Sequence, residues 1–143
     1  MTTQPSVLFV CVKNGGKSQM AAGLMRHVAG TAIRVHSAGT RPGSSLNAES
    51  VAALDELGAD LTGEHPKPIA TELLDAVDRV VLIGNEVQLE EVGSAPVERW
   101  VTDEPSERGI TGMERMRLIR EDLAARVAAL YEELLATQLG EQQ

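Results

Sequence analysis

The sequence predicts an α/β domain built on a parallel sheet, and three observations carry that prediction. Short, mostly apolar runs such as Val7–Cys11 and Arg79–Ile83 alternate with stretches of helical periodicity. A glycine-bearing turn, Lys13-Asn14-Gly15-Gly16, separates the first run from the first helical stretch. A long amphipathic segment closes the chain, with its apolar residues at helical spacing and its charges on the other face. Strands that alternate with helices pair in parallel, because each crossover returns the chain to the same end of the sheet.

Taken in order, Val7–Cys11 reads as a buried strand. Ser18 offers an N-cap for a helix over Gln19–Ala29 that Gly30 terminates. Ile33–Ala38 alternates like a second strand, and a Gly/Pro/Ser-rich loop runs from Gly39 to Leu46. Asn47 caps a helix over Ala48–Leu57 closed by Gly58, and Thr71 caps a short helix that ends at Ala76. Arg79–Ile83 is the third strand, Glu86–Val92 one or two helical turns, and Glu98–Val101 the fourth strand. After a polar loop from Asp103 to Gly112, Met113–Leu135 carries the stripe Met116, Ile119, Leu123, Val127, Leu130 and Leu134.

Length and composition limit the functional classes. A chain of 143 residues with 43% apolar and 24% charged residues fits one soluble domain over residues 1–143. Its apolar runs are too short to span a bilayer, and Met1–Pro5 lacks the basic start of a secretory signal, so a cytoplasmic setting is expected. A net charge of −8 disfavours nucleic acid and anionic membrane as partners. Only three aromatic residues, Phe9, Trp100 and Tyr131, are available for base stacking. The scattered histidines show no metal-ligand spacing. Charge is unevenly placed: all 21 acidic residues follow position 48, and Lys13, Lys17, Arg26, Arg34 and Arg41 precede it.

The single cysteine, Cys11, sits where the first apolar run meets the glycine turn. A strand, a tight loop and a helix start converge backbone N–H groups on one point, which makes an anion pocket over residues Val12, Lys13, Asn14, Gly15, Gly16, Lys17 and Ser18. The field that holds an oxyanion also favours a thiolate, so Cys11 reads as a nucleophile rather than a buried structural thiol. Gly15 and Gly16 permit close approach and positive φ, and Asn14 tolerates a left-handed conformation. Lys17 supplies positive charge; Ser18 caps the helix, donates to the sulfur, or does both. Lys13 reads as a solvated loop residue.

These residues resemble the loop of the low-molecular-weight protein tyrosine phosphatase superfamily, Cys-x-Gly-Asn-x-x-Arg-Ser, with Cys11, Asn14, Lys17 and Ser18 at matching positions. His36–Thr40, Leu57–Leu61, His65–Pro68 and Trp100–Pro105 resemble further stretches of the family. The resemblance implies a three-layer sandwich with a central parallel sheet of about four strands, low-molecular-weight phosphatase-like. Ser18-Gln19-Met20-Ala21 and the absence of tyrosines after Pro105 lean toward its arsenate reductase branch. Two positions depart from the family: Lys13 replaces a Gly and Lys17 replaces the Arg, a point charge where a bidentate fork is usual. The family places an Asp before the Pro as general acid. Here Glu104 holds that place and Asp103 precedes it, so either is a candidate, Asp103 slightly favoured. The resemblance also places Lys67 near the site, where its ammonium would favour the Cys11 thiolate; a plain surface lysine is the alternative.

The resemblance thus implies an arsenate reductase in which Cys11 attacks arsenate. Within these 143 residues there is no second cysteine to complete the reduction, so the second thiol comes from outside: mycothiol or glutathione, served by a glutaredoxin-like protein such as mycoredoxin. No bound cofactor is expected. A phosphatase that uses Cys11 and the acid alone, and a non-catalytic oxyanion-binding protein, are the alternatives.

Overall fold

The computed structural model describes residues 4–141. Its elements are β1 (Ser6–Cys11), α1 (Lys17–Ala29), β2 (Arg34–Gly39), α2 (Ala48–Asp55), α3 (Leu73–Ala76), β3 (Arg79–Ile83), β4 (Val97–Trp100), a 3-10 turn (Pro105–Arg108) and α4 (Gly112–Glu141). The four strands are parallel, in the order β2-β1-β3-β4. All six residues of β1 are buried, as a central strand covered on both faces requires.

Alternation along the strands divides the core. Val7, Phe9, Val81 and Ile83 face one layer, where α1, α2 and α4 pack; the α4 stripe from Met116 to Leu134 is buried there throughout. Phe9 meets Trp100 with ring centroids 5.7 Å apart and the rings tilted. Leu8, Val10, Val80 and Leu82 face a thinner layer closed by α3 and by Val77, Val87 and Ala95. Three layers around a four-stranded parallel sheet are thus what the sequence predicts. Chain order places β2 and β3 on opposite sides of β1, so the crossover direction reverses beside its carboxyl end. Cys11 lies at that end, level with Gly39 of β2, where open α/β sheets leave a crevice for ligands.

Four local expectations are corrected. Glu86–Val92 forms no helix. Extended chain lets Val87 pack into the second core, while Ser94 N–H bonds the Asp75 carboxylate (2.8 Å) and Ala95 N–H the Leu74 carbonyl (3.0 Å), which pins the segment across the end of α3. Gly16, not Ser18, occupies the cap of α1, and no side chain caps that helix. The cap of α3 falls on Glu72 rather than Thr71. Helix α4 begins at Gly112 and reaches Glu141, beyond the expected Leu135. The cap expected at Asn47 is present: its side chain accepts the N–H of Ser50 at 2.9 Å.

Among the described residues, no helix is long and apolar enough to cross a membrane.

Candidate active site

The site is built on the chain that leaves β1. The Cys11 side chain is nearly enclosed, with 9% of the residue exposed. Its Sγ accepts the Asn14 N–H at 3.2 Å and lies 2.9 Å from Ser18 Oγ. Asn14 Nδ2 already donates to that hydroxyl at 2.7 Å, so the Ser18 proton is free to point at the sulfur.

Asn14 organises the loop. It is fully buried and left-handed (φ 54°), a conformation that asparagine tolerates better than most residues. Its Oδ1 accepts from Gln19 Nε2 and from the backbone N–H of Lys67, both at 3.1 Å. The only positive φ in the loop is therefore Asn14's; Gly15 and Gly16 do not adopt it. Gly15 is instead needed for space, because a Cβ there would come within 3.0 Å of the Ser45 carbonyl oxygen.

The loop's carbonyls bond outwards. Those of Cys11, Val12, Lys13 and Gly15 accept N–H groups of Thr40, Arg41, Gly43 and Asn47 at 2.7–3.2 Å. The first helical bond of α1 runs from Met20 to the Gly16 carbonyl, so the N–H groups of Lys17, Ser18 and Gln19 have no acceptor within the helix. Unpaired N–H groups at the start of a helix are the kind of donor that can hold an anion. Lys13 is exposed, and Lys13 and Arg41 flank an open cleft of about 550 Å³ beside Gly15 and Gly16, with no acidic residue in its lining.

The acids lie on the segment between β4 and α4. Arg115 grips Glu104 through two bonds of 2.7 Å, and Ser106 adds its N–H (3.2 Å) and hydroxyl (2.8 Å). These contacts, Arg115 foremost, hold the Glu104 pKa down to about 2 from an ordinary 4.5. The same carboxylate lies 4.0 Å from Lys17 Nζ, which joins the acid segment to the loop. Asp103 is forked by Arg108 at 2.7 and 3.0 Å, which lowers its pKa too. Of the two candidate acids, Glu104 is the one brought to the cysteine loop, through its contact with Lys17.

Lys67 reaches the site by its backbone N–H. Its ammonium is engaged by Ser37 Oγ (3.3 Å), the His65 carbonyl (3.0 Å) and Glu64 (3.7 Å), beside a strand position two residues before Gly39. Burial, partly offset by Glu64, draws its pKa below the ordinary lysine value.

Three residues were not singled out from the sequence. Gln19 is fully buried and ties Asn14 to the His65 carbonyl (3.1 Å). Gly39 leaves room for the loop: a Cβ there would lie 2.6 Å from the Val12 carbonyl oxygen and 3.0 Å from Asn14. Arg115 fixes Glu104. A glycine at the carboxyl end of the strand beside the cysteine is a signal that could have revealed Gly39; Arg115 lies eleven residues from Glu104 with nothing local to connect them.

Comparison with known proteins agrees with this geometry. The family model "Low molecular weight phosphotyrosine protein phosphatase" matches residues 6–138. A putative arsenate reductase of Halobacterium salinarum is 30% identical over 130 residues, covering 87% of this chain and 89% of its own. A glutaredoxin arsenate reductase of Synechocystis sp. is 30% identical over 131 residues, covering 90% and 97%. A solved arsenate reductase in its phosphate binding state superposes with a TM-score of 0.79 at 27% identity, covering 91% of this chain and 98% of that one. The chain belongs to the low molecular weight phosphotyrosine protein phosphatase family.

Proposed function

We propose that the chain reduces arsenate, with Cys11 as nucleophile and a thiol from outside these 143 residues as the source of electrons. The observation that carries this reading is the Cys11 sulfur, hydrogen-bonded by Asn14 and Ser18 at the base of an anion cradle. The arsenate reductases among its relatives support it, as does the lack of any second cysteine.

In the first step the Cys11 thiolate attacks arsenic held by the N–H groups of residues 12–18 and by Lys17, which neutralise the oxyanion charge. One hydroxyl of the arsenate monoanion leaves as water, taking the proton of the other, and a Cys11–S–As(V) bond remains. An external thiolate then attacks arsenic, forms its own S–As(V) bond and frees Cys11 as thiolate. A thiol of the redox partner attacks the sulfur of that conjugate. The S–As bond breaks, its electron pair stays on arsenic, and arsenite and a mixed disulfide result. Mycothiol with mycoredoxin fills these roles in our reading, and glutathione with glutaredoxin is the alternative pair.

The state of the acids separates this from phosphatase action. A phosphate ester must expel an alkoxide or phenoxide, which needs a proton donor beside it. Arsenate brings the proton for its own departing oxygen. With Glu104 and Asp103 both forked by arginine, the site suits the second leaving group better than the first. The test is a direct comparison of aryl phosphate hydrolysis with arsenate reduction, each thiol system being supplied in turn. Thiol-dependent arsenate turnover with weak ester hydrolysis is expected; the reverse order makes the chain a phosphatase.

A further inference from the structure

We propose that Arg115 is a positioning residue of the oxyanion site: acting through Glu104, it aims the single ammonium of Lys17. This rests on the reading of the Cys11 loop as an oxyanion site. Arginine at position 17 would orient itself, since a planar guanidinium meets two oxyanion oxygens with a rigid fork. Lysine cannot do so. Its ammonium rotates freely on a flexible stem, and direction has to come from a neighbour.

The structure supplies that neighbour. Lys17 opens α1, and among the described residues its one ion pair is to Glu104, at 4.0 Å. Glu104 itself is tightly fixed, by the Arg115 fork at 2.7 and 2.7 Å and by the Ser106 N–H and hydroxyl. Arg115 stands in the first turn of α4 and is about as sheltered as Glu104, at 28% and 29% side-chain exposure. The order of rigidity therefore runs from helix to guanidinium to carboxylate to ammonium. An arginine fork on Glu104 would be a poor arrangement for a general acid, because it favours the ionised form. It is a good one for a fixed carboxylate that holds a mobile cation over the loop. Glutamate has one methylene more than the aspartate usual before the proline, and lysine reaches the anion with one donor group instead of a fork. The two departures fit each other as a pair.

A simpler role is open to Arg115, that of stapling the Pro105–Arg108 turn to α4, and a double-mutant cycle distinguishes the two. Inorganic phosphate and arsenate are titrated calorimetrically into Cys11→Ser protein, which removes chemistry and thiol from the measurement. Four forms are compared: Cys11→Ser alone, and with Arg115→Gln, Lys17→Arg, or both. We expect Arg115→Gln to weaken anion binding about tenfold with lysine at 17 and less than about twofold with arginine there, because arginine carries its own orientation. Arg115→Lys, which keeps the charge but loses the fork, should fall between. Thermal melts accompany each titration; if Arg115→Gln does not fold, Arg115→Lys completes the cycle. Equal losses in both backgrounds, or none in either, overturn the proposal while leaving the oxyanion site standing. Absence of anion binding in all four forms removes the site and the proposal together.

Discussion

The cysteine loop and the acid segment meet through one ion pair, but different forces hold them. The loop from Val12 to Ser18 is fixed by neutral hydrogen bonds around a buried, left-handed Asn14, with its carbonyls paired to the Thr40–Asn47 chain. The segment from Asp103 to Arg108 is fixed by charge: Arg108 on Asp103, Arg115 on Glu104, and the Asp122 carboxylate accepting the Asp103 N–H at 2.7 Å. A buried neutral network is expensive to break, because each stranded group loses its hydration as well as its partner. A partly exposed ion pair is cheap to break and sensitive to pH and salt. Cys11 thus stands on the segment held by neutral bonds, and Glu104 on the segment held by charge, which pH and salt reach more readily.

The largest expected effect tests the loop's chemistry. Cys11→Ser should lower arsenate turnover by about three orders of magnitude or more, while anion binding and circular dichroism stay close to wild type. Asn14→Ala should come next. It strands the Lys67 N–H, takes one of two partners from Gln19 Nε2 and from the Ser18 hydroxyl, and puts alanine at positive φ; a loss of about 3 kcal/mol in urea unfolding is expected, with turnover down about a hundredfold. An Asn14→Ala protein as stable as wild type would show that the loop is not held by this residue.

The charged side should respond more mildly. Glu104→Gln should raise the arsenate KM about tenfold with a smaller effect on kcat, because Lys17 loses its anchor and chemistry loses no proton donor. A collapse of kcat at unchanged KM would restore Glu104 as general acid. Acid stability gives a further test. The folded state holds Glu104 at about 2, below its ordinary 4.5. Its contribution is therefore complete above pH 4.5 and is lost as the pH falls through 2; after discounting for solvent screening it amounts to about 1–2 kcal/mol. Unfolding midpoints of wild type and Glu104→Gln should converge as pH is lowered through that window, and parallel curves would contradict the assignment. Asp103→Asn should matter least, with no measurable change in the unfolding midpoint and turnover within about twofold, because the Asp103–Arg108 pair is exposed.

The sequence displayed the backbone-level part of this site more clearly than the side-chain part. The apolar run ending at Cys11, the turn after it and the stripe of α4 are local patterns, and each forms where its periodicity puts it. The corrections arise where distance in sequence is bridged. Ser18 looked like a helix cap because a hydroxyl before a helical run usually is one; with Asn14 left-handed, its partner becomes that side chain and the sulfur. Lys67 looked like a charge near the cysteine, yet what it gives the loop is a backbone N–H, a group every residue but proline possesses. Asp103 is slightly favoured by sequence, whereas the contacts that bring Glu104 to the loop, Lys17 and Arg115, lie far from it in sequence and leave no local pattern. Glu86–Val92 has helix-forming composition, but tertiary packing of Val87 against the second core overrides that preference.

The most direct measurement is NADPH oxidation driven by arsenate in the presence of a small thiol, a glutaredoxin-like protein and their reductase, with each component omitted in turn. If Cys11 passes arsenic to a borrowed thiol, turnover requires the thiol and disappears in Cys11→Ser. Undiminished turnover without the added thiol, or in the Cys11→Ser protein, would contradict that account.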